Sequence, residues 1–537
     1  MNKYIGLSIV ALGLTFTSCN DFLDVTPDNR ATVDTEDKVE KLLVSAYANN
    51  SYLFFCETMS DNLDDYGENN PYTDRFFDQT FKWQDVTEED NESPESYWEG
   101  AYDAIIQANH ALEAINNIGA TSQAMKEAKA EALLSRAYHH FMLVNIFGKN
   151  YNSATSATDL GIPYLGEVET QLDKHHDRAS VASIYQMIDQ DLQEALPLVG
   201  SSYMTVPKYH FNAQAAYAFA ARFYLFYEKW DEAITYASLC LGSEPASKLR
   251  DWSTMATLTS DREIYCNHWI DASLSCNLLL ITAYAQIGVA FGPYYYYKRY
   301  AHGPFLAENE TCNAANVFGT GADIYYSRPR TYNATNLSCV LLWKTPYLFE
   351  YTDPVNGIGY AHTVYAALTT DEALLTRAEA YTMKGEYDKA AEDLNTWAHG
   401  ISKTTVTLTA DYIQTYYNSV DYSYDAFDED GNFVGIDGTI STIKKHLHPA
   451  FPIDVEGSKQ ETLLQCVLGF RRIQFLQEGM RWFDIKRYGI EIPRRVIAAD
   501  GTPDPDGVYD WLTINDERRA VQIPPKVRDS GIEANPR

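Results

Sequence analysis

Positive charge is scarce in this sequence: 42 Lys and Arg stand against 74 Asp and Glu, a formal net charge of −32 at pH 7. That balance argues against nucleic acid as a ligand, because a phosphate backbone has to be met by clustered Lys and Arg. It argues against anionic lipid as a direct partner for the same reason. Catalytic signatures are missing as well. No H-E-x-x-H, G-x-S-x-G, phosphate-binding loop or dinucleotide fingerprint occurs, and no C-x-x-C or Cys/His pair has zinc spacing. Close carboxylate pairs of the kind a glycosidase uses are inevitable among so many acids and discriminate nothing. Beyond residue 18 no apolar run reaches the ~20 residues of a membrane span. The expectation is a protein without catalytic activity whose body is not itself embedded in a membrane.

What is present begins at the N-terminus. Lys3 is followed by an apolar run from Tyr4 to Phe16 and by small Thr17 and Ser18 directly before Cys19. This order reads as a lipoprotein signal peptide over residues 1–18, with Cys19 as the lipidated residue and residues 19–35 as a tether. Phe16 stands where Leu is usual. Most of the other seven cysteines read as small buried hydrophobes, with a disulfide between Cys266 and Cys276 left open. An apolar share of 45% is ample for a core, and 40 Tyr with 9 Trp provide many rings with a polar edge.

Helical periodicity starts near Asp37, with Leu42, Leu43, Ala46 and Tyr47 at helix spacing. Ala378, Tyr381, Gly385, Tyr387 and Ala390 are spaced as in a tetratricopeptide repeat, two small-faced helices joined by a tight Gly turn. Ala221, Tyr224, Trp230 and Ala233 repeat those offsets with Glu228 in the Gly place, and a looser pair lies near residues 101–147. A further helix, Val181 to Leu198, follows Ser180 as its N-cap. The fold class predicted is mainly α: a tetratricopeptide-like scaffold of helical pairs near 101–147, 212–241 and 371–399. Long loop-rich insertions fall at 61–91, 250–360 and 401–460.

Taken in order, these segments resemble the SusD/RagB family of outer-membrane nutrient-binding lipoproteins. The resemblance starts at Cys19-Asn20-Asp21-Phe22-Leu23-Asp24 and runs through Trp98 to Asn109, Ala128 to Gly148 and Gly161-Ile162-Pro163-Tyr164. It continues through Arg178 to Leu198, Asn212 to Ala237 and Leu368 to Ala398, and ends in Arg471 to Asp484. Phe470 and Gln474 depart from the family's common glutamates, and Tyr488 from its Trp. Glu478, Arg481, Asp484 and Arg487 lie three or four apart and are expected to form structural ion pairs along one helix face. The resemblance implies a single α-helical ligand-binding domain over 36–537, in a protein exposed at the cell surface on the outer membrane and held there by its lipid. It also implies a partner, a SusC-like TonB-dependent β-barrel transporter to which captured oligomers are delivered.

A glycan site wants aromatic platforms flanked by Asp, Asn, Gln or Arg. Burying about 100 Å² on one ring at ~25 cal/mol/Å² yields about 2 to 3 kcal/mol, and millimolar binding requires about 4 kcal/mol. Two or three platforms must therefore act together. The aromatic insertions Asp61 to Trp83 and Trp269 to Tyr300 nominate Trp83, Tyr72 and Tyr296 as platforms and Asp61, Asn62 and Arg75 as polar partners, while Trp98 and Trp482 are left to the core. A peptide ligand, or a transporter lid with no ligand affinity, stands as the alternative. His139-His140, His175-His176 and His446-x-His448 fall short of a metal set. Asp425 to Gly431 reads as a flexible acidic loop, with calcium as the one cofactor left open.

Overall fold

The computed structural model describes residues 33–119, 121–170, 175–291, 298–333 and 337–537. Cys19, Tyr296 and nearly all of the expected signal peptide and tether lie outside the described residues. Helix α1 (Glu36–Leu43) starts at the Thr35 cap and stops before Ala46 and Tyr47, which the periodicity had placed inside it. Helices α2 (Leu53–Met59) and α3 (Arg75–Phe81) follow. The three repeat-like pairs come next: α4 (Pro94–Ile118) with α5 (Gln123–Phe147), then, after α6 (Val181–Ala195), α7 (Ala213–Phe226) with α8 (Trp230–Leu241), and later α9 (Thr370–Met383) with α10 (Tyr387–Ile401). The chain closes on α11 (Ala410–Tyr417), α12 (Lys459–Gln474) and α13 (Arg481–Tyr488).

Local chemistry explains the pairs. The Ser93, Ser122, Ser180, Asn212 and Thr369 side chains each accept a main-chain N–H in the first turn of the helix they cap. Between α9 and α10 the chain turns at Gly385, φ +74°, and between α7 and α8 at Glu228, φ +61°. The glutamate thus occupies the glycine position in conformation as well as in spacing. Ala108 and Ala111 of α4 meet Ala128 and Ala132 of α5 in one buried cluster, where larger side chains would hold the helices apart. Successive helices pack side by side from α4 through α5 and α7 to α8, α9 and α10, and a single hydrophobic cluster runs from Ala48 to Ile523.

The segments read as loop-rich are ordered by packing. Residues 61–91 fold inward, and Phe76, Phe77, Phe81 and Trp83 join the core. Residues 250–360 carry strands β1 (Asn277–Tyr284) and β2 (Leu348–Asp353), which with β3 (Ile358–Thr369) form an antiparallel sheet in the order β1-β3-β2. Residues 401–460 contain α11 and a short hairpin, Asp425–Phe427 with Phe433–Ile436. In that hairpin the Asp428 carboxylate accepts the N–H groups of Asp430 and Asn432, and among the described residues no group of three or more His, Cys, Asp or Glu is placed to hold a metal ion. Cys266 and Cys276 are separate free thiols, as are the other described cysteines, and all are buried.

The C-terminal charges pair between elements and not along one helix face. Glu478 meets Lys344 at 2.7 Å, Arg481 meets Asp61 at 2.8 Å, Asp484 meets Arg471 at 3.0 Å and Arg487 meets Glu379 at 2.8 Å. The departures at the family's glutamate positions are taken up by Trp397, which stacks on Phe470 at 4.5 Å and donates from Nε1 to Gln474 Oε1 at 3.0 Å. Tyr488 donates its hydroxyl to Glu379 at 2.7 Å. His139 and His140 are core residues: each accepts a main-chain N–H at Nε2, and burial lowers them to about 4 and about 3, so both are neutral.

Candidate ligand-binding cleft

The nominated residues divide by burial. Trp83 is 2% exposed, donates from Nε1 to the Met59 carbonyl at 2.8 Å, and has the Arg494 guanidinium 3.9 Å from its ring. No ring face is left for a sugar, so its role is structural. Asp61 is likewise buried, receiving Arg481 at 2.8 and 2.9 Å. Burial alone would raise its carboxyl, but Arg472 and Arg481 hold it well below the usual carboxylate range. Asn62 accepts from Arg472 at 2.9 Å and donates to Glu57 at 2.9 Å, with no exposure. These two polar groups belong to a buried ionic network. Tyr72, 45% exposed, and Arg75, paired with Glu88, do reach the surface, though neither lines the cleft described next.

That cleft, of about 610 Å³, lies between α4 and the sheet. One wall is the α4 face carrying Gly100, Asp103, Ala104 and Gln107, which share a side at helical spacing. The opposite wall is one face of the sheet. Tyr284 pairs with His362 and Glu350 with Tyr360, so with Thr282 these side chains alternate onto a common side, whereas Phe349 and Tyr351 turn to the other. The Tyr284 and Tyr360 rings meet edge to face, centroids 4.9 Å apart at 82°. His362 Nδ1 is a buried atom of this wall that has no hydrogen-bond partner among the described residues. The floor is residues 44–49, fastened to the sheet by Tyr284 N donating to the Asn49 carbonyl at 2.7 Å. Gly100 admits this turn: a Cβ there would come within 2.8 Å of Asn50 Oδ1 and 3.0 Å of Asn49 Oδ1.

Glu131 of α5, wholly buried, organises one end from behind. Its carboxylate accepts from Tyr47 at 2.6 Å, from His210 Nδ1 at 2.8 Å and from the Tyr203 hydroxyl. Tyr47 and His210 line the cleft, so their rings are fixed before any ligand arrives. Burial would lower the His210 imidazolium, but the hydrogen bond and charge of Glu131 outweigh it and raise His210 above its ordinary value. Across the cleft the Tyr360 hydroxyl is pushed up to about 12, chiefly by its hydrogen bond to Glu350. Asp103 and Gln107 line the α4 wall and make no side-chain hydrogen bond to another described residue. A second cleft of about 500 Å³ has no Tyr, Trp or Phe in its lining, and its Lys486 and Arg519 are committed to main-chain carbonyls.

Tyr284, Tyr360, His362 and Glu350 were not nominated by sequence, although Tyr284 falls inside the aromatic insertion singled out there. The signal available was period two: Tyr360, His362 and Val364 alternate with smaller residues as a strand requires. Tyr47 and His210 carry no local signal, because it is Glu131 on a distant helix that brings them in.

The helical-repeat scaffold therefore bears an aromatic, hydroxyl-lined cleft. Residues 21–225 match the SusD-like family described as starch-binding and associating with the outer membrane. The whole fold is that of solved SusD-type structures. A putative sugar binding protein from Bacteroides vulgatus is 18% identical with a TM-score of 0.64, covering 94% of this chain and 99% of its own. A SusD-like carbohydrate binding protein from the same species is 16% identical with a TM-score of 0.62, covering 92% and 96%. A SusD superfamily protein from Bacteroides thetaiotaomicron is 16% identical with a TM-score of 0.59, covering 94% and 100%. A comparison with curated proteins finds no match. The SusD-like family pattern thus covers residues 21–225, and the fold of the chain is that of the SusD-type structures.

Proposed function

We propose that this protein is a cell-surface lipoprotein, anchored through Cys19, that binds oligo- or polysaccharide in the cleft between α4 and the sheet. It delivers the captured chains to a SusC-like TonB-dependent transporter and performs no chemistry on them. The observation that carries the binding role is the wall formed by Tyr284, Tyr360 and His362 opposite uncommitted Asp103 and Gln107. Rings stack on the apolar face of a sugar while the polar side chains take its hydroxyls. The two tyrosines, at about 2 to 3 kcal/mol each before the costs of association, reach the millimolar range together where one does not. The family description and the two neighbours described as sugar or carbohydrate binding support the ligand class. The anchor and the transporter rest on the family resemblance alone.

Isothermal titration with a panel of oligosaccharides and peptides tests this reading. Binding of at least one carbohydrate is expected, weakened about tenfold to a hundredfold by Tyr284→Ala or Tyr360→Ala, which is about 1.4 to 3 kcal/mol. Heat from peptides with none from any carbohydrate would overturn it.

A further inference from the structure

Resting on the carbohydrate reading, we infer that the cleft admits uncharged glycan chains and turns away polyanionic ones such as oligouronates and sulfated polysaccharides. Its charged groups are the reason. Asp103 stands on the α4 wall and Glu350 on the sheet wall, so a bound chain runs between two carboxylates. Among the described residues no Lys or Arg lines the cleft, and neither carboxylate has an ion-pair partner. The positive charge that His210 can carry is neutralised by Glu131 directly behind it, so it is not free to balance a ligand's anion.

The hydrogen-bonding inventory leads the same way. A carboxylate only accepts, and so do the carboxylate oxygens of a uronate and the outer oxygens of a sulfate ester, whereas sugar hydroxyls donate. An uncharged ring therefore satisfies Asp103 and Glu350. An acidic ring leaves two acceptors facing a third in a partly desolvated groove, where like charges repel more strongly than in open water. The protein's net charge of −32 adds a long-range field of the same sign, which disfavours the approach of polyanions.

The test compares one backbone in two charge states, so that linkage preference does not enter. The mature chain is titrated with neutral gluco-, xylo- and manno-oligosaccharides, with oligogalacturonate and with chondroitin sulfate fragments. Whichever chain binds is then compared with its own uronate-oxidised form or, where it carries carboxylates, its carboxyl-reduced form; a sulfated binder is compared with its desulfated form. The neutral form is expected to bind at least about tenfold more tightly. That ratio should shrink in Asp103→Asn/Glu350→Gln and in high salt, because screening relieves charge repulsion but does not replace a lost hydroxyl contact. An anionic form that binds wild-type protein as tightly as the neutral form, with binding lost in Tyr360→Ala, would overturn the charge rule alone. So would a ratio indifferent to salt and to the double substitution. Binding of no carbohydrate at all would remove the carbohydrate reading and the charge rule with it.

Discussion

At the scale of single residues, burial separates structural aromatics from those that can meet a ligand. Trp83 fills the core beside Phe81 and Arg494 and holds the Met59 carbonyl. Trp83→Ala should cost about 3 to 5 kcal/mol of stability, read by urea denaturation, while the ligand heat per mole of folded protein stays unchanged. Glu92 is a second buried residue with a measurable signature. Its Oε1 accepts from Gln286 N, its Oε2 has no partner among the described residues, and burial pushes the carboxyl up to about 8. The unfolded chain releases that proton near ~4.3. Between those values the folded state holds more protons than the unfolded state, so stability falls as pH rises. Glu92→Gln resembles the protonated form and lacks this loss. It should match the parent near pH 4 and exceed it by on the order of a few kcal/mol at pH 8. A stability difference that does not grow between those two pH values would disprove the assignment.

At the scale of elements, the repeat pairs hinge on their turns. Gly385 and Glu228 occupy the same left-handed position in two pairs, at φ +74° and +61°. A side chain with a Cβ costs about 1 to 2 kcal/mol in that region, so Gly385→Val should lower stability by roughly that amount. Glu228→Gly should act oppositely and raise it by a few tenths to about 1 kcal/mol, the relief of strain outweighing the added freedom of the unfolded chain. Thermal melts of both variants would settle the signs. The turns and alanine faces of these pairs were legible in sequence because each depends on residues within a few positions of one another. The sheet was less legible: β1 and β3 lie far apart in the chain and pair only after the scaffold has brought them together.

At the scale of the whole molecule, a buried ionic network ties the insertions to the C-terminal helices. Glu310 receives Lys445 at 2.7 Å and Arg472 and Arg495 at 2.8 Å each, while Asp61 and Asp64 complete the set with Arg481 and Arg495. Burial would raise the Glu310 carboxyl, but the three cations hold it well below its ordinary range. Its contribution to stability is therefore present above the unfolded value near ~4.3 and lost as pH falls through the lower folded one. Glu310→Gln removes the carboxylate that three buried cations share and leaves Lys445 without its ion-pair partner, and it should cost about 3 to 5 kcal/mol at neutral pH. The gap between variant and parent should close as the medium becomes strongly acid, which denaturation at pH 7 and pH 3 would reveal.

The sequence by itself determined the helical pairs, the glycine-like turn at Glu228, the burial of the described cysteines and the absence of a recognisable catalytic motif, all of which rest on spacing, local conformation or residue identity. The tertiary structure decided which aromatics and which carboxylates are exposed. Asp61 and Asn62 sit in an acidic, aromatic stretch that composition alone marks as surface, yet Arg472 and Arg481, more than four hundred positions away, draw them inside. Tyr284, Tyr360 and Glu350 form one wall of the cleft only because antiparallel pairing turns them to one side of a sheet. Partners so distant along the chain leave no pattern in any short window of it, and burial, which depends on every neighbour at once, becomes defined only when the chain is folded.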